Sequence, residues 1–292
     1  MTHGPNSTII DSILKASWYC GSYNGHCYEI IWHIQFIRSR YVQHVSPSRY
    51  GPHSVIVLHG WFGDCHAFAP MEDALSREEF TYIFMNYRGY GSMSSATGTY
   101  SMDEIAIDTL SLADELGFDT FSLIGHSMGG MAIERVATLA PERVRMLVPV
   151  APVPCCGVAF DPVGQALFTG AADSIENRRI IIHRSTGQRL SRAWIDWKAE
   201  YSMAHSSRAA FAAYLNAWSN TDFSAEVQGL SHRVKVLIGE HDPTFNTDLM
   251  RSTYLAWYPR AELEILENAG HYPMNEVPLA LATSIENFLR QA

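Results

Sequence analysis

Short apolar runs alternate with segments of helical periodicity along most of this chain, and this alternation constrains its fold more than any other feature. The apolar runs are strand-sized and lie at 55–58, 82–85, 120–124, 144–150, 234–238 and 263–266. Apolar residues at helical spacing occur at 67–77, 102–116, 131–139, 249–257 and 279–289. Because the strand-sized runs contain no polar alternation, both faces of the sheet should be covered. The sequence therefore predicts an α/β fold with parallel strands joined by crossover helices.

Length and composition suit one such domain with an inserted subdomain. The chain has 292 residues, of which 47% are hydrophobic and 17% charged, enough for a sizeable core. Residues 152–228 interrupt the alternation, because they lack apolar strand runs. We predict a core formed by 1–151 and 229–292 with a helical cap at 152–228. The core begins with an irregular segment at 1–27, followed by an amphipathic strand at 28–37.

Charge and cysteine content make several classes of partner unexpected. The 30 acidic residues outnumber the 21 basic ones, giving a net charge of −9, and no basic cluster suits a phosphate backbone. We expect a small-molecule substrate and no nucleic-acid partner, while a homodimer stays open. No apolar run reaches the ~20 residues of a membrane span, so none is expected. Five cysteines without CxxC spacing, and no secretory signal pattern, predict a cytoplasmic protein with reduced thiols.

The most distinctive loop is Gly125-His126-Ser127-Met128-Gly129, directly between a predicted strand and a predicted helix. A G-x-S-x-G sequence alone is a weak signal. In a sharp strand-to-helix turn, however, the flanking glycines avoid clashes and the serine oxygen is exposed at the edge of the sheet. A turn without chemistry is the alternative, and the context favours Ser127 as a nucleophile.

A serine hydroxyl needs a base within hydrogen-bond reach, and His271 is the best candidate. It follows the predicted strand at 263–266 and therefore lies at the carboxyl edge of the sheet, where α/β folds bind ligands. Most other histidines are expected to be structural. We expect His126 to point away from the nucleophile and His59 to support its own loop.

A third group must orient the imidazole and stabilise its charge, and Asp242 is the candidate. Glu240 in the same loop and Asp248 in the next predicted helix are its rivals. Pro243 favours an extended turn after Asp242. Capping of the following helix is the alternative role for this aspartate. The chain order serine, aspartate, histidine is the order that accompanies this type of serine turn.

Acyl transfer also needs N–H donors for the developing oxyanion. The backbone N–H of Met128 is one candidate, because this residue follows the nucleophile. The second should come from the loop after 55–58, where we favour the Trp61 N–H over that of Phe62. Loss of one such donor typically costs about 3 kcal/mol of transition-state stabilisation.

Aromatic residues of the predicted cap fall into two trios at helical spacing, which places each trio on one face of a helix. The trios are Trp194, Trp197 and Tyr201, and Phe211, Tyr214 and Trp218. Docking on the core is the usual use of such a face, yet cavities at this edge of a sheet are lined mainly by apolar and aromatic side chains. We expect at least one member of these trios, Tyr201 apart, to contact bound substrate.

Taken together, these segments resemble the capped α/β-hydrolase family from about Val55 to the C-terminus. The resemblance is carried by His59-Gly60-Trp61, Asn86-Tyr87-Arg88-Gly89-Tyr90-Gly91-Ser92, the turn at 125–130, Gly239-Glu240-His241-Asp242-Pro243, and Gly270-His271 with Glu276 and Pro278. It is weakest in the cap and does not extend to the first 50 residues. It implies an eight-stranded, mostly parallel sheet, catalysis without a cofactor, and cleavage of carboxylic esters, lactones or related acyl bonds.

The leading hypothesis is hydrolysis of an ester or lactone of a small to medium apolar substrate through an acyl-enzyme on Ser127. Carbon–carbon bond hydrolysis of a dienoic diketone and cofactor-free perhydrolase chemistry use the same three residues and are the enzymatic alternatives. A ligand-binding protein with this fold is the non-enzymatic one. Epoxide hydrolases and haloalkane dehalogenases use an aspartate where Ser127 stands, so alkyl-enzyme chemistry is not expected. Patterns for zinc, nucleotides and dinucleotides are absent from the sequence, so no metal or cofactor is expected.

Overall fold

The computed structural model describes residues 51–292, in which six strands form a single sheet. The strands are β1 (His53–Leu58), β2 (Phe80–Met85), β3 (Phe121–His126), β4 (Val144–Val150), β5 (Arg233–Gly239) and β6 (Ala261–Leu266). Their order is β2-β1-β3-β4-β5-β6, and every neighbouring pair is parallel. The predicted parallel α/β sheet is confirmed, whereas a count of eight strands is not. The predicted irregular segment 1–27 and strand 28–37 lie outside the described residues.

Helices connect the strands and cover the sheet. Those of the core are α1 (Ala69–Glu72), α2 (Met102–Glu115), α3 (Met128–Leu139), α9 (Thr247–Ser252), α10 (Tyr254–Trp257), α11 (Pro273–Glu276) and α12 (Pro278–Leu289). Strands β1 to β5 are almost entirely buried, because crossover helices shield their side chains from water. Edge strand β6 is more exposed.

Two predicted helices differ from the observed ones. The predicted helix at 67–77 is a short 3-10 turn followed by α1, which ends at Glu72. After Glu72 the N–H groups of Ala74 and Leu75 donate to carbonyls three residues back, and the Ser76 N–H donates to the Glu286 carboxylate of α12 at 2.5 Å. The predicted helix at 249–257 is broken at Thr253, whose hydroxyl donates to the Leu249 carbonyl at 2.6 Å.

Five helices occupy the segment between β4 and β5, and this segment contains no strand. They are α4 (Pro162–Gly170), α5 (Ile175–Ser185), α6 (Arg192–His205), α7 (Arg208–Asn220) and α8 (Ser224–Val227). The first four each begin after an aspartate or serine whose side chain accepts a backbone N–H of the first turn. The boundaries of a separate cap domain at 152–228 stay a prediction. Within 51–292, no helix has the length and apolar character to cross a membrane.

The cap helices pack on the core through an aromatic stack. The Trp61 ring, in the loop after β1, lies parallel to Phe211 of α7 with centroids 4.0 Å apart, and its Nε1–H donates to the Phe211 carbonyl at 2.8 Å. On Phe211 lies the buried guanidinium of Arg178 from α5, 3.5 Å from the ring centroid. Such contacts bury a cap aromatic and a core aromatic together and fix the two layers against each other.

A buried carboxylate, Glu134 of α3, joins the core to the chain that enters the cap. It accepts the Cys155 N–H and the Tyr258 hydroxyl, both at 3.0 Å, and its side chain has no exposure to solvent. Burial raises the pKa of Glu134 from 4.5 to about 8, against the opposing effect of these hydrogen bonds.

Glu134 should therefore make the stability of the protein depend on pH. A carboxyl whose pKa is raised on folding stabilises in its neutral form, and that contribution is lost as the pH rises from about 4.5 through about 8. Glu134→Gln cannot ionise. We expect the melting temperature of the wild type to fall relative to this variant between about pH 5 and about pH 9.

Calorimetric melting of both proteins across that range measures the effect. Glu142→Gln, at an exposed position, is the matched control for the change in net charge. A difference between wild type and Glu134→Gln that stays constant with pH would contradict the assignment.

Candidate active site

Ser127 lies in a strained turn between β3 and α3. Its φ is 54° and its ψ −118°, a conformation that non-glycine residues rarely adopt. Backbone hydrogen bonds hold it there: its N–H donates to Val150 at 3.0 Å, and its carbonyl accepts from Gly130 at 2.8 Å and Val153 at 3.0 Å. The end of β4 and the start of the cap segment therefore fix the serine in place.

Two glycines of the predicted motif allow this turn to form. A Cβ on Gly125 would lie 2.2 Å from the Gly129 carbonyl oxygen, and one on Gly129 would lie 2.4 Å from the Leu58 carbonyl oxygen. Both distances are too short for any side chain, so the turn and β1 can approach each other only with glycine at these positions.

Ser127, His271 and Asp242 lie together at the carboxyl edge of the sheet. The Ser127 Oγ is 3.0 Å from His271 Nε2, and His271 Nδ1 is 2.7 Å from Asp242 Oδ2. All three residues are buried. The other carboxylate oxygen of Asp242, Oδ1, accepts the N–H groups of Thr244 at 2.9 Å and Phe245 at 3.0 Å. This chain of hydrogen bonds can take a proton from the serine and stabilise the resulting imidazolium.

The alternatives for the aspartate lie elsewhere. Glu240 is exposed and accepts the Asn268 N–H at 3.0 Å, and the Asp248 side chain is 95% exposed. Helix α9 is capped by Asn246 rather than by Asp242. The geometry thus favours Asp242 as the partner of His271.

The loop that carries His271 is held by Glu276, for which no catalytic or positioning role was predicted. The Glu276 carboxylate accepts the N–H groups of Gly270 at 2.8 Å and Tyr272 at 3.0 Å, on either side of the histidine. From the cap, Arg189 pairs with Glu276 at 3.2 Å. The signal for Glu276 in the sequence is its position five residues after His271, in a segment that carries the family resemblance.

His126 contributes to the same loop, and its pointing away from the nucleophile stays a prediction. The residue lines the smaller cavity together with Ser127, and its Nε2–H donates to the His271 carbonyl at 2.8 Å. Burial lowers the pKa of His126 well below its usual value, so the ring is neutral at physiological pH. His59 stacks on Tyr87 with centroids 3.9 Å apart and donates to the Gly60 carbonyl, which agrees with its predicted supporting role.

The predicted oxyanion donors flank the serine. Met128 is the first residue of α3, so its N–H has no acceptor within the helix. Trp61 and Phe62 both line the cavities at Ser127, in a turn closed by a hydrogen bond from Gly63 N–H to Gly60. The choice of the Trp61 N–H over that of Phe62 stays a prediction.

Two cavities meet at the serine. The residues that line both are Trp61, Phe62, Ser127, His271 and Tyr272. The larger cavity has a volume of about 280 Å³ and a mainly apolar wall that includes Val158, Phe160, Phe168, Ile181, Trp218 and Phe245. The smaller has a volume of only about 10 Å³, enough for a group the size of one water.

Of the five cap aromatics predicted to meet substrate, one lines these cavities. Trp218 does so, whereas Phe211 packs on Trp61 and Tyr214 on Tyr90, both without exposure. The remaining two do not line these cavities: Trp194 lies edge-on to Tyr272, and Trp197 is 47% exposed. Helical spacing could not show which aromatic lines the cavity, because it predicts which residues share a face of a helix and not what that face contacts.

Comparisons with known proteins agree with this architecture. A model of the alpha/beta hydrolase family matches residues 55–284, most of the chain. The chain is 24% identical over 234 residues to 3-oxoadipate enol-lactonase 2 of Acinetobacter baylyi, covering 75% of the chain and 82% of that protein. It is 28% identical over 250 residues to pimeloyl-(acyl-carrier protein) methyl ester esterase of Nitrosomonas europaea, covering 80% and 94%.

Among solved structures, an esterase from Exiguobacterium antarcticum superposes with a TM-score of 0.74 at 17% identity, covering 86% of this chain and 98% of that one. At this identity the likeness shows the fold alone. The α/β-hydrolase fold that the sequence predicted is thereby confirmed.

Replacing Asp242 should slow the reaction of Ser127 with an electrophile while preserving the fold. In Asp242→Asn, His271 loses the charge that stabilises its protonated form, and its preferred tautomer changes. We expect the rate of fluorophosphonate labelling of Ser127 to fall by roughly 10³ to 10⁴. Glu240→Gln, in the same loop, is the matched control and should label at nearly the wild-type rate. If Glu240→Gln were the slower variant, Asp242 would not be the orienting residue.

Proposed function

The chain belongs to the alpha/beta hydrolase family, and we propose that it is a serine hydrolase that cleaves a carboxylic ester or lactone. The observation that carries this proposal is the chain of hydrogen bonds from Ser127 through His271 to Asp242, beneath a mainly apolar cavity. A serine with this partner can form an acyl-enzyme, which splits one difficult hydrolysis into two easier steps.

In the first step, Ser127 Oγ attacks the carbonyl carbon of the substrate while His271 Nε2 takes the hydroxyl proton. The negative charge that develops on the carbonyl oxygen is stabilised by the backbone N–H groups of Met128 and Trp61. The imidazolium, oriented by Asp242, then gives its proton to the alkoxide oxygen that leaves. In the second step, water attacks the acyl-enzyme, His271 accepts its proton, and the acid product departs from a regenerated serine.

The larger cavity supports an apolar group of small to medium size. Its volume of about 280 Å³ and its aromatic wall would remove such a group from water. The two named relatives also support acyl chemistry, since one is called an enol-lactonase and the other a methyl ester esterase. We propose that Trp218 forms the cap wall of this cavity and limits the length of the bound group.

The direct test is hydrolysis of p-nitrophenyl esters of graded chain length by wild type and Ser127→Ala. We expect the wild type to hydrolyse them and Ser127→Ala to be slower by at least roughly a thousandfold with an unchanged melting temperature. Ser252→Ala, on the exposed face of α9, is the matched control. Near-normal activity in Ser127→Ala would remove Ser127 from the mechanism. Failure on every ester, with turnover of a dienoic diketone, would replace ester cleavage by carbon–carbon cleavage.

Trp218→Leu should shift the chain-length preference. Removing the indole enlarges the cavity, and each methylene accommodated is worth about 1–3 kcal/mol in discrimination. We expect the kcat/KM ratio of octanoate to acetate esters to rise by roughly tenfold or more, together with a lower melting temperature, because Trp218 is only 4% exposed. Trp197→Leu, at an exposed cap position, should change neither quantity. A lower melting temperature without a change in the ratio would make Trp218 a docking residue alone.

A further inference from the structure

Lys198 lines the smaller cavity at the nucleophile, and the mechanism described above does not use its ammonium group. The residue lies on cap helix α6 and is 3% exposed. It lines the smaller cavity together with Ser127 and His271. A single lysine in a helical segment belongs to no motif, so no role for Lys198 could be predicted from the sequence.

The ammonium group has no ionic partner in the described part of the chain. Within residues 51–292 it forms neither a hydrogen bond nor an ion pair at 4.0 Å or less. The negative charge that acts on it most is Asp64, and that carboxylate already accepts the Tyr201 hydroxyl and the His66 N–H at 2.9 Å. The contacts that the structure gives Lys198 Nζ are with three aromatic rings, Trp197, Tyr201 and Tyr272, at 5.3 to 6.0 Å.

The faces of these rings stabilise a positive charge, but they are not conventional hydrogen-bond acceptors. Among the described residues, the three N–H donors of Lys198 are thus left for a group that enters the cavity. Burial lowers the pKa of Lys198 from 10.5 to about 8, so most molecules still carry the charge near neutral pH. A buried charge without a partner is costly, whereas a methionine of similar shape would not be. The arrangement suits a negative charge that arrives with the ligand.

The two cavities divide the substrate into two parts around Ser127. An apolar part fits the larger cavity, whose lining does not include Lys198. The smaller cavity admits a group the size of one water, because its volume is about 10 Å³, so it can take one oxygen of an anion while the rest of that anion lies where the two cavities meet. A carboxylate is the compact anion that accepts hydrogen bonds from an ammonium group with good geometry.

We infer that the substrate is a monoanion: an ester or lactone with an apolar group in the larger cavity and a carboxylate that Lys198 binds through the oxygen it places in the smaller one. This inference rests on the proposed function and specifies its substrate class. Lys198 is then a specificity-determining residue that positions the scissile carbonyl at Ser127.

The test compares acids with their neutral, nearly isosteric amides. Monobenzyl succinate and benzyl succinamate carry the carboxylate or the amide on the acyl side of the ester. The phenylacetate esters of glycolic acid and of glycolamide carry the carboxylate or the amide on the alcohol side. The measured quantity is the ratio of kcat/KM for acid over amide, in which effects common to both substrates cancel.

In at least one pair, we expect the wild type to prefer the acid by roughly tenfold or more, as for a charge-assisted hydrogen bond. Lys198→Met should lower this ratio at least tenfold, and Lys198→Arg should retain part of it. The matched control is Arg192→Met on the exposed face of the same helix, which removes one positive charge and should leave the ratio unchanged. Equal ratios in Lys198→Met and Arg192→Met, or no preference in the wild type for either acid, would overturn the inference.

The acid preference should also fall as the pH rises through about 8, because Lys198 then loses its proton. Asp64 is the carboxylate that faces the ammonium group, and effects of pH on the catalytic step itself cancel in the ratio of acid over amide. The other titratable groups around the ammonium are neutral there: His59, His126, Tyr201 and Tyr272. A preference that is constant from about pH 6.5 to about pH 9.5 would contradict the role of Lys198.

Binding to Ser127→Ala separates this inference from the proposed function. Calorimetric titration of that variant with the four esters measures recognition without turnover, and Ser127→Ala/Lys198→Met tests the lysine. If acids bind more tightly only when Lys198 is present, the inference stands even where no ester is hydrolysed. If Ser127 is labelled and amides are hydrolysed but acids and amides bind equally, the hydrolase assignment stands and the inference falls.

Discussion

Three backbone hydrogen bonds hold Ser127 in a conformation that would otherwise cost of order 1–3 kcal/mol, and the geometry of the site depends on them. They connect the turn to the end of β4 and to Val153, where the chain leaves the sheet for the cap. Since all six strands are parallel, the loops after β5 and β6 reach the same edge as the loop after β3. Asp242 and His271 therefore arrive beside the serine as a consequence of sheet topology, and local hydrogen bonds only adjust their final orientation.

The helices between β4 and β5 also help to orient His271. The His271 N–H donates to the carbonyl of Ser185 at 3.1 Å, and Ser185 is the last residue of cap helix α5. Arg189, also from the cap, pairs with the glutamate that holds the same loop. The orientation of His271 beside Ser127 thus depends on one backbone contact from α5 and on the side chain of Arg189.

The sequence predicted those parts of the molecule that local patterns encode. All six described strands coincide with predicted apolar runs, and the serine, aspartate and histidine were found from loops that follow strands. What it missed depends on individual hydrogen bonds and ion pairs. The Ser76 N–H after α1 donates to Glu286, far along the chain, and the His271 loop is held by Glu276, which pairs with Arg189. Neither interaction leaves a periodic signal, because each is made by a single polar side chain.

A comparison of two buried cap cations shows why the contacts of a charge are more informative than its burial. Arg178 is 1% exposed, yet its guanidinium donates to the Ala171 carbonyl at 2.8 Å and the Ser202 hydroxyl at 2.6 Å and stacks on Phe211. Its donors are used within the protein, so its burial is explained by the docking of the cap. Lys198 is buried to a similar degree, but its N–H groups have no acceptor within residues 51–292, and the residue lines the small cavity at Ser127. Because an ammonium without a partner destabilises the folded protein, its place at this cavity is explained by a benefit that residues 51–292 do not provide. A negatively charged substrate provides that benefit only while it is bound.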